Sequence, residues 1–89
     1  MFNVVVSSQF KKDLKRVSKR GKDISKIENV VNILQSGDNL DVRYRNHRLI
    51  GNWSAYWECH IEPDWLLIYQ FTETELILVR TGSHSDLFD

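Results

Sequence analysis

Histidine occurs three times in this chain, each time inside a polar run. His47 sits in Tyr44-Arg45-Asn46-His47-Arg48, and His60 in Glu58-Cys59-His60-Ile61-Glu62-Pro63-Asp64-Trp65. His84 sits in Arg80-Thr81-Gly82-Ser83-His84-Ser85-Asp86-Leu87-Phe88. Imidazole titrates near neutrality and serves as acid or base. Asp64 can act as a base or orient a histidine, and Arg80 can hold two phosphate oxygens at once. Phe88 can stack on a base or ribose, as single-stranded RNA sites commonly require. Arg45 and Arg48 flank His47 as further phosphate-binding candidates. Such groups suit cleavage of RNA, whose own 2′-hydroxyl is the nucleophile. The protein then supplies a base, an acid for the leaving 5′-oxygen and positive charge for the phosphorane. A metal is not required by this chemistry and none is expected: positions 47, 60 and 84 contain no close ligand pair, and the lone Cys59 cannot build a thiolate site.

These runs must be positioned by a small scaffold. Eighty-nine residues make one domain, 1–89, with one modest core. No segment approaches a membrane span. The N-terminus lacks the charged region of a signal peptide, so a cytoplasmic location is expected. Phe2 to Val6 reads as a strand, and Ser7 or Ser8 can cap the helix that follows. In that helix Phe10, Leu14 and Val17 share one face. A second helix runs from about Asp23 to Gln35 on a stripe of Ile24, Ile27, Val31 and Leu34. Gly21 and Gly37 close the two helices.

Beyond residue 40 the period changes. Arg45 to Ile50 suggests a short strand. Tyr56 to Ile61 alternates, with Tyr56, Glu58 and His60 on one face and Trp57, Cys59 and Ile61 on the other. Glu58 thus either tunes His60 or is a solvated charge. Leu66 to Phe71 is apolar enough for a central strand covered on both faces, and Glu75 to Arg80 is the last strand. This order predicts an α+β fold: an N-terminal strand and a two-helix hairpin packed on an antiparallel sheet. A register with His60 opposite Leu67 and Leu67 opposite Arg80 would set His60 and Arg80 on one face, about 10 Å apart.

Formal charge is zero overall but unevenly spread. Residues 1–50 carry eleven Lys and Arg against five Asp and Glu; residues 51–89 carry one against seven. Neutrality argues against gripping nucleic acid by charge alone. The basic excess centres on Lys11, Lys12, Lys15, Arg16, Lys19 and Arg20, a surface for an acidic partner.

The run from Tyr44 to Phe88 resembles the YafQ branch of the RelE/ParE toxin superfamily. The resemblance rests on Tyr44-Arg45-Asn46-His47, Gly51-Asn52-Trp53, the stretch from Glu58 to Tyr69 and the stretch from Arg80 to Phe88. The β-α-α start agrees with that family's fold, which is like that of the microbial RNases. The resemblance implies the toxin half of a bacterial toxin–antitoxin pair, cleaving messenger RNA in the ribosomal A site without a cofactor. It implies a cognate antitoxin as partner, operator DNA contacted only through the antitoxin complex, and no membrane. Family roles map onto His47, His60, Asp64, His84 and Phe88. Trp65 and Arg80 also match positions near the family's site, although Trp65, like Trp57, reads from its strand as core.

Two other functions fit the same fold. A gyrase poison of the ParE kind would not need the histidines, and their presence argues against it. A catalytically silent member that only binds antitoxin or DNA would not need the full motif set. The division of acid and base roles among His47, His60, Asp64 and His84 stays open at this level.

Overall fold

The computed structural model describes residues 1–88. The chain opens with β1 (Asn3–Val6), α1 (Ser8–Lys19) and α2 (Ile24–Gln35). The Ser7 side chain accepts from the Phe10 amide and donates to the Val79 carbonyl, so it both caps α1 and ties it to the last strand. Gly21 ends α1 at φ 87°, with the Lys22 amide bonded back to the Val17 carbonyl. This left-handed closure costs glycine little. Asp23 caps α2 through the Ser25 amide.

A turn of 3₁₀ helix at Val42–Tyr44 leads to β2 (His47–Arg48), and a second at Gly51–Trp53 leads to β3 (Trp57–Glu62). Then come β4 (Trp65–Phe71), β5 (Glu75–Gly82) and α3 (His84–Phe88). The sheet order is β1-β5-β4-β3-β2. Strands β2 to β5 are antiparallel, and β1 adds to β5 in parallel, so the sheet is mixed.

The helices bury Phe10, Val17, Ile27, Val30 and Leu34 against Cys59, Ile61, Trp65, Leu67, Tyr69, Leu76 and Leu78. On the other face Leu66 and Ile68 are also fully buried, so β4 is covered on both sides. Burial pushes the Cys59 thiol up to about 12, which leaves it inert.

The observed register differs by one residue from the expected one in both pairings. His60 lies opposite Leu66 and Gly82; Arg80 lies opposite Ile68 and Glu58. The slips cancel in facing, because each moves its residue to the other side of the same strand. A bulge at Val79 separates the Tyr69–Leu78 and Ile68–Arg80 pairs. Past the end of β1, the edge of β5 is completed by Asp13 of α1, which is fully buried. Its carboxylate accepts from the Thr81 amide at 3.2 Å and from Arg80 Nε at 2.6 Å.

Candidate active site

The three histidines come from three elements and meet in one row. His47 is on β2, His60 on β3 and His84 at the start of α3. Their ring centroids lie 6.3 Å apart for His47 and His60, and 5.7 Å apart for His60 and His84. Strand pairing sets the first spacing, since His47 pairs with Glu58, two residues from His60. The hairpin turn at Pro63-Asp64 sets the second.

Each ring has one nitrogen committed. His47 Nδ1 is 2.7 Å from the Arg45 carbonyl oxygen, and His60 Nδ1 is 3.3 Å from that of Pro63. A carbonyl only accepts, so both Nδ1 atoms carry the proton and both Nε2 atoms are left for chemistry. Both Nε2 atoms lie 3.5 Å from Glu58 Oε1. Glu58 is buried at 5 % exposure between the two rings. A carboxylate there stabilises positive charge on either ring. At 3.5 Å it is beyond a firm hydrogen bond, so Nε2 can still take a proton.

His84 is held differently. Its Nδ1 lies 2.5 Å from Asp64 Oδ1, and the same oxygen accepts the His84 amide at 2.9 Å. The amide, and then the ring, hold the Asp64 carboxyl below the usual carboxylate range. Asp64 is therefore held in its anionic form against His84 Nδ1, and His84 Nε2 points away from it.

The first turn of α3 is fixed by Asp86. Its carboxylate accepts the Ser83 amide at 2.9 Å, while Ser83 Oγ accepts the Asp86 amide. Arg20, which caps the end of α1, grips the same carboxylate through both terminal nitrogens, at 2.6 and 3.0 Å. Gly82 makes room for this arrangement: a Cβ there would lie 2.8 Å from the Asp86 Cβ. Gly82→Ala is therefore expected to push α3 outward and cut activity at least tenfold, because an ångström of misplacement can cost about a hundredfold. A crystal structure or amide spectrum of the variant, read beside its activity, checks this; an unmoved α3 with full activity would contradict it.

Other residues singled out from the sequence fall into distinct places. Phe88, 45 % exposed, lies edge-on to Trp53 with centroids 6.3 Å apart, and Trp53 in turn packs on Tyr56. Trp53, singled out by the Gly51-Asn52 turn before it, thus joins Phe88 to Tyr56 in an aromatic shelf, and Tyr56 is the member that sequence reasoning did not include. Arg45 is the one described non-glycine residue with positive φ, 48°, and its strained backbone aims the carbonyl that holds His47. Arg48 Nε bonds the Ser54 carbonyl and stays exposed.

Trp65 and Glu58, each left between two readings by the sequence, are both buried. Trp65 is 1 % exposed and donates its indole N–H to Thr81 Oγ1, so it supports the site from the core and does not reach a substrate. Glu58 is buried against His47 and His60, so it touches those rings rather than bulk solvent or an RNA strand. Arg80 is shared: Nε and one terminal nitrogen bond Asp13. On α1, Arg16 and Arg20 turn to Asp13 and Asp86, whereas Lys11, Lys12, Lys15 and Lys19 are exposed.

Comparison with known proteins places this geometry. The family described as "Bacterial toxin of type II toxin-antitoxin system, YafQ" matches residues 2–89. The mRNA interferase toxin YafQ of Escherichia coli K12 is 39% identical over 87 residues, covering 97% of this chain and 95% of that protein. The toxin in the crystal structure of the E. coli DinJ–YafQ toxin–antitoxin complex superposes with a TM-score of 0.92 at 38% identity, over 99% of this chain and 98% of that one. A metal-bound toxin from Helicobacter pylori superposes with a TM-score of 0.93 at 42% identity, over 99% and 100%. With the match spanning nearly every residue in sequence and in fold, the chain belongs to the YafQ family of bacterial toxins of type II toxin–antitoxin systems.

Proposed function

We propose that the protein is an mRNA interferase that cleaves message on the ribosome by general acid–base catalysis. The observation that carries this reading is the row of three imidazoles, each with one ring nitrogen anchored and the other available. His84, oriented by Asp64, is the acid that protonates the leaving 5′-oxygen. The Glu58-backed pair of His47 and His60 is the base, with His60 nearer to His84. As His60 Nε2 takes the 2′-hydroxyl proton, the 2′-oxygen attacks phosphorus and the P–O5′ bond breaks. The imidazolium so formed lies against Glu58. The terminal nitrogen of Arg80 not bonded to Asp13 and Arg48 beside His47 offset charge on the phosphorane. Phe88 and Trp53 stack on the unpaired bases.

The products expected are a 2′,3′-cyclic phosphate or 3′-phosphate and a 5′-hydroxyl, unaffected by a chelator. A 2′-deoxy substitution at the cleaved nucleotide should abolish cutting. End-mapping of message cut on programmed ribosomes tests both points. Full activity on the deoxy substrate would refute the mechanism.

The E. coli relative was crystallised with the antitoxin DinJ. We take an acidic cognate antitoxin to be this chain's partner, with exposed Lys11, Lys12, Lys15 and Lys19 as the contact. Reversing these four charges should slow association at low salt by at least tenfold and flatten its salt dependence. Stopped-flow binding at two ionic strengths reads this, and unchanged association places the contact elsewhere.

A further inference from the structure

A second recess shares His60 with the imidazole row. This cleft, about 490 Å³, lies between α2 and the turn that precedes β2. Its walls are Lys26 and Asn29 from α2, Arg43, Tyr44 and Arg45 from the turn, and the His60 end of β3. Lys26 and Asn29 are three apart on one helical face. The cleft contains one carboxylate, Glu62, already paired with Lys22 at 2.7 Å and Lys26 at 2.8 Å. Among the described residues no carboxylate side chain pairs with Arg43 or Arg45. The Arg43 guanidinium lies 4.8 Å over the Tyr44 ring and donates to its hydroxyl, which anchors it with further donors free. The recess is therefore cationic, pre-formed and equipped with an amide for a base edge.

Resting on the function proposed above, we infer that this cleft binds the ribonucleotide whose 2′-hydroxyl attacks, gripping its 5′-phosphate through Arg43, Arg45 and Lys26 and its base edge through Asn29. Position decides which nucleotide. His60, the base nearer the acid, contacts the nucleotide on the 5′ side of the cut bond. His84 serves the leaving oxygen of the nucleotide on the 3′ side. The cleft opens beside His60 and next to the turn that carries Arg45, so the strand enters there. The basic recess on α1, lined by Lys12, Lys15, Arg16, Lys19 and Arg20, shares no residue with the row.

The test is single-turnover cleavage on ribosomes, comparing wild type with Arg43→Ala and with Arg43→Ala/Lys26→Ala. Each is assayed on an ordinary message and on one carrying an uncharged methylphosphonate at the 5′-phosphate of the attacking nucleotide. Arg43 is exposed, and a thermal melt confirms that the variants fold. On the ordinary message the half-saturating toxin concentration should rise about tenfold to a hundredfold, since a hydrogen bond to a charged group has that worth. The maximal rate should stay within a few fold. On the methylphosphonate message the difference between wild type and variants should close. An unchanged half-saturation overturns the inference. So does a gap that persists on the methylphosphonate message, which would assign Arg43 to ribosomal RNA. Wild type that cuts neither message refutes the function itself, a result plainly distinct from wild type that cuts and variants that match it. A shifted base preference for Asn29→Asp would add that the cleft reads sequence.

Discussion

Replacing His84 with alanine is expected to lower single-turnover cleavage on ribosomes by about 10²–10⁴, the usual contribution of a general acid or base. The side chain is exposed and contacts the fold through one bond to Asp64, itself exposed. Stability should therefore stay within about 0.5 kcal/mol of wild type, and antitoxin binding should persist. His84→Gln should be as inactive, because it can still hydrogen-bond but has no proton to deliver near neutral pH. Asp64→Asn is the informative companion. It keeps the shape but removes the anion that fixes the His84 tautomer, and a comparable change in a protease triad costs on the order of 10⁴. Here the loss should be smaller, because Asp64 and His84 are both solvent-exposed and the ring can reorient. A folded His84→Ala protein that cleaves at the wild-type rate would remove His84 from the chemistry; a large drop in melting temperature would make it structural.

Asp13→Ala should be the most damaging single substitution away from the histidines, at about 3–5 kcal/mol, the typical cost of breaking a buried ion pair from one side. Asp13 is fully buried and accepts from Gln9, Arg16, Arg80 and the Thr81 amide. Its loss strands the Thr81 N–H at an uncovered sheet edge and frees Arg80. In a domain with roughly 5–15 kcal/mol in hand, much of the folded margin goes. Equilibrium denaturation in urea measures this directly, and a loss under 1 kcal/mol would show that water or Arg16 replaces the lost contacts. The pH dependence has a definite sign. Burial acts to raise the Asp13 carboxyl, but the hydrogen bonds from Arg80, Gln9 and Thr81 outweigh it and lower the group on balance. A carboxyl lowered on folding stabilises the protein fully above its unfolded value of about 3.9 and loses that contribution as pH falls through the folded value. The Asp13 contribution should therefore be lost only in acid, below that unfolded value, and Asp13→Asn should lack that part of the acid sensitivity.

Much of the fold was legible because its elements carry local signals. Helix ends are marked by chemistry that acts within a few residues: Gly21 and Gly37 close the helices as read, Ser7 rather than Ser8 is the first cap, and Asp23, read as opening the second helix, caps it. The alternation from Tyr56 to Ile61 placed Glu58 and His60 on the face away from Cys59 and Ile61, as found. Less legible were features set by distant contacts. The parallel docking of β1 on β5 joins residues some seventy positions apart and has no local signature. The Val79 bulge, which shifts the register, is equally silent in sequence. The short helix α3 after Gly82 is likewise tied by a distant residue, since Arg20 grips Asp86 from 66 positions away. Trp65 shows the limit of motif reasoning. Its position beside Asp64 marks it as part of the site, but strand alternation turns it into the core.

The parallel pairing of β1 with β5 also dictates when this molecule can become dangerous. During translation the first strand has no neighbour until Glu75–Gly82 has been made. Asp13 likewise waits for Arg80 and Thr81, and the imidazole row waits for His84. A nascent chain can form its two helices early, since those contacts are local, but the imidazole row cannot form until His84 has been made. Order of synthesis thus places the site after most of the scaffold that holds it.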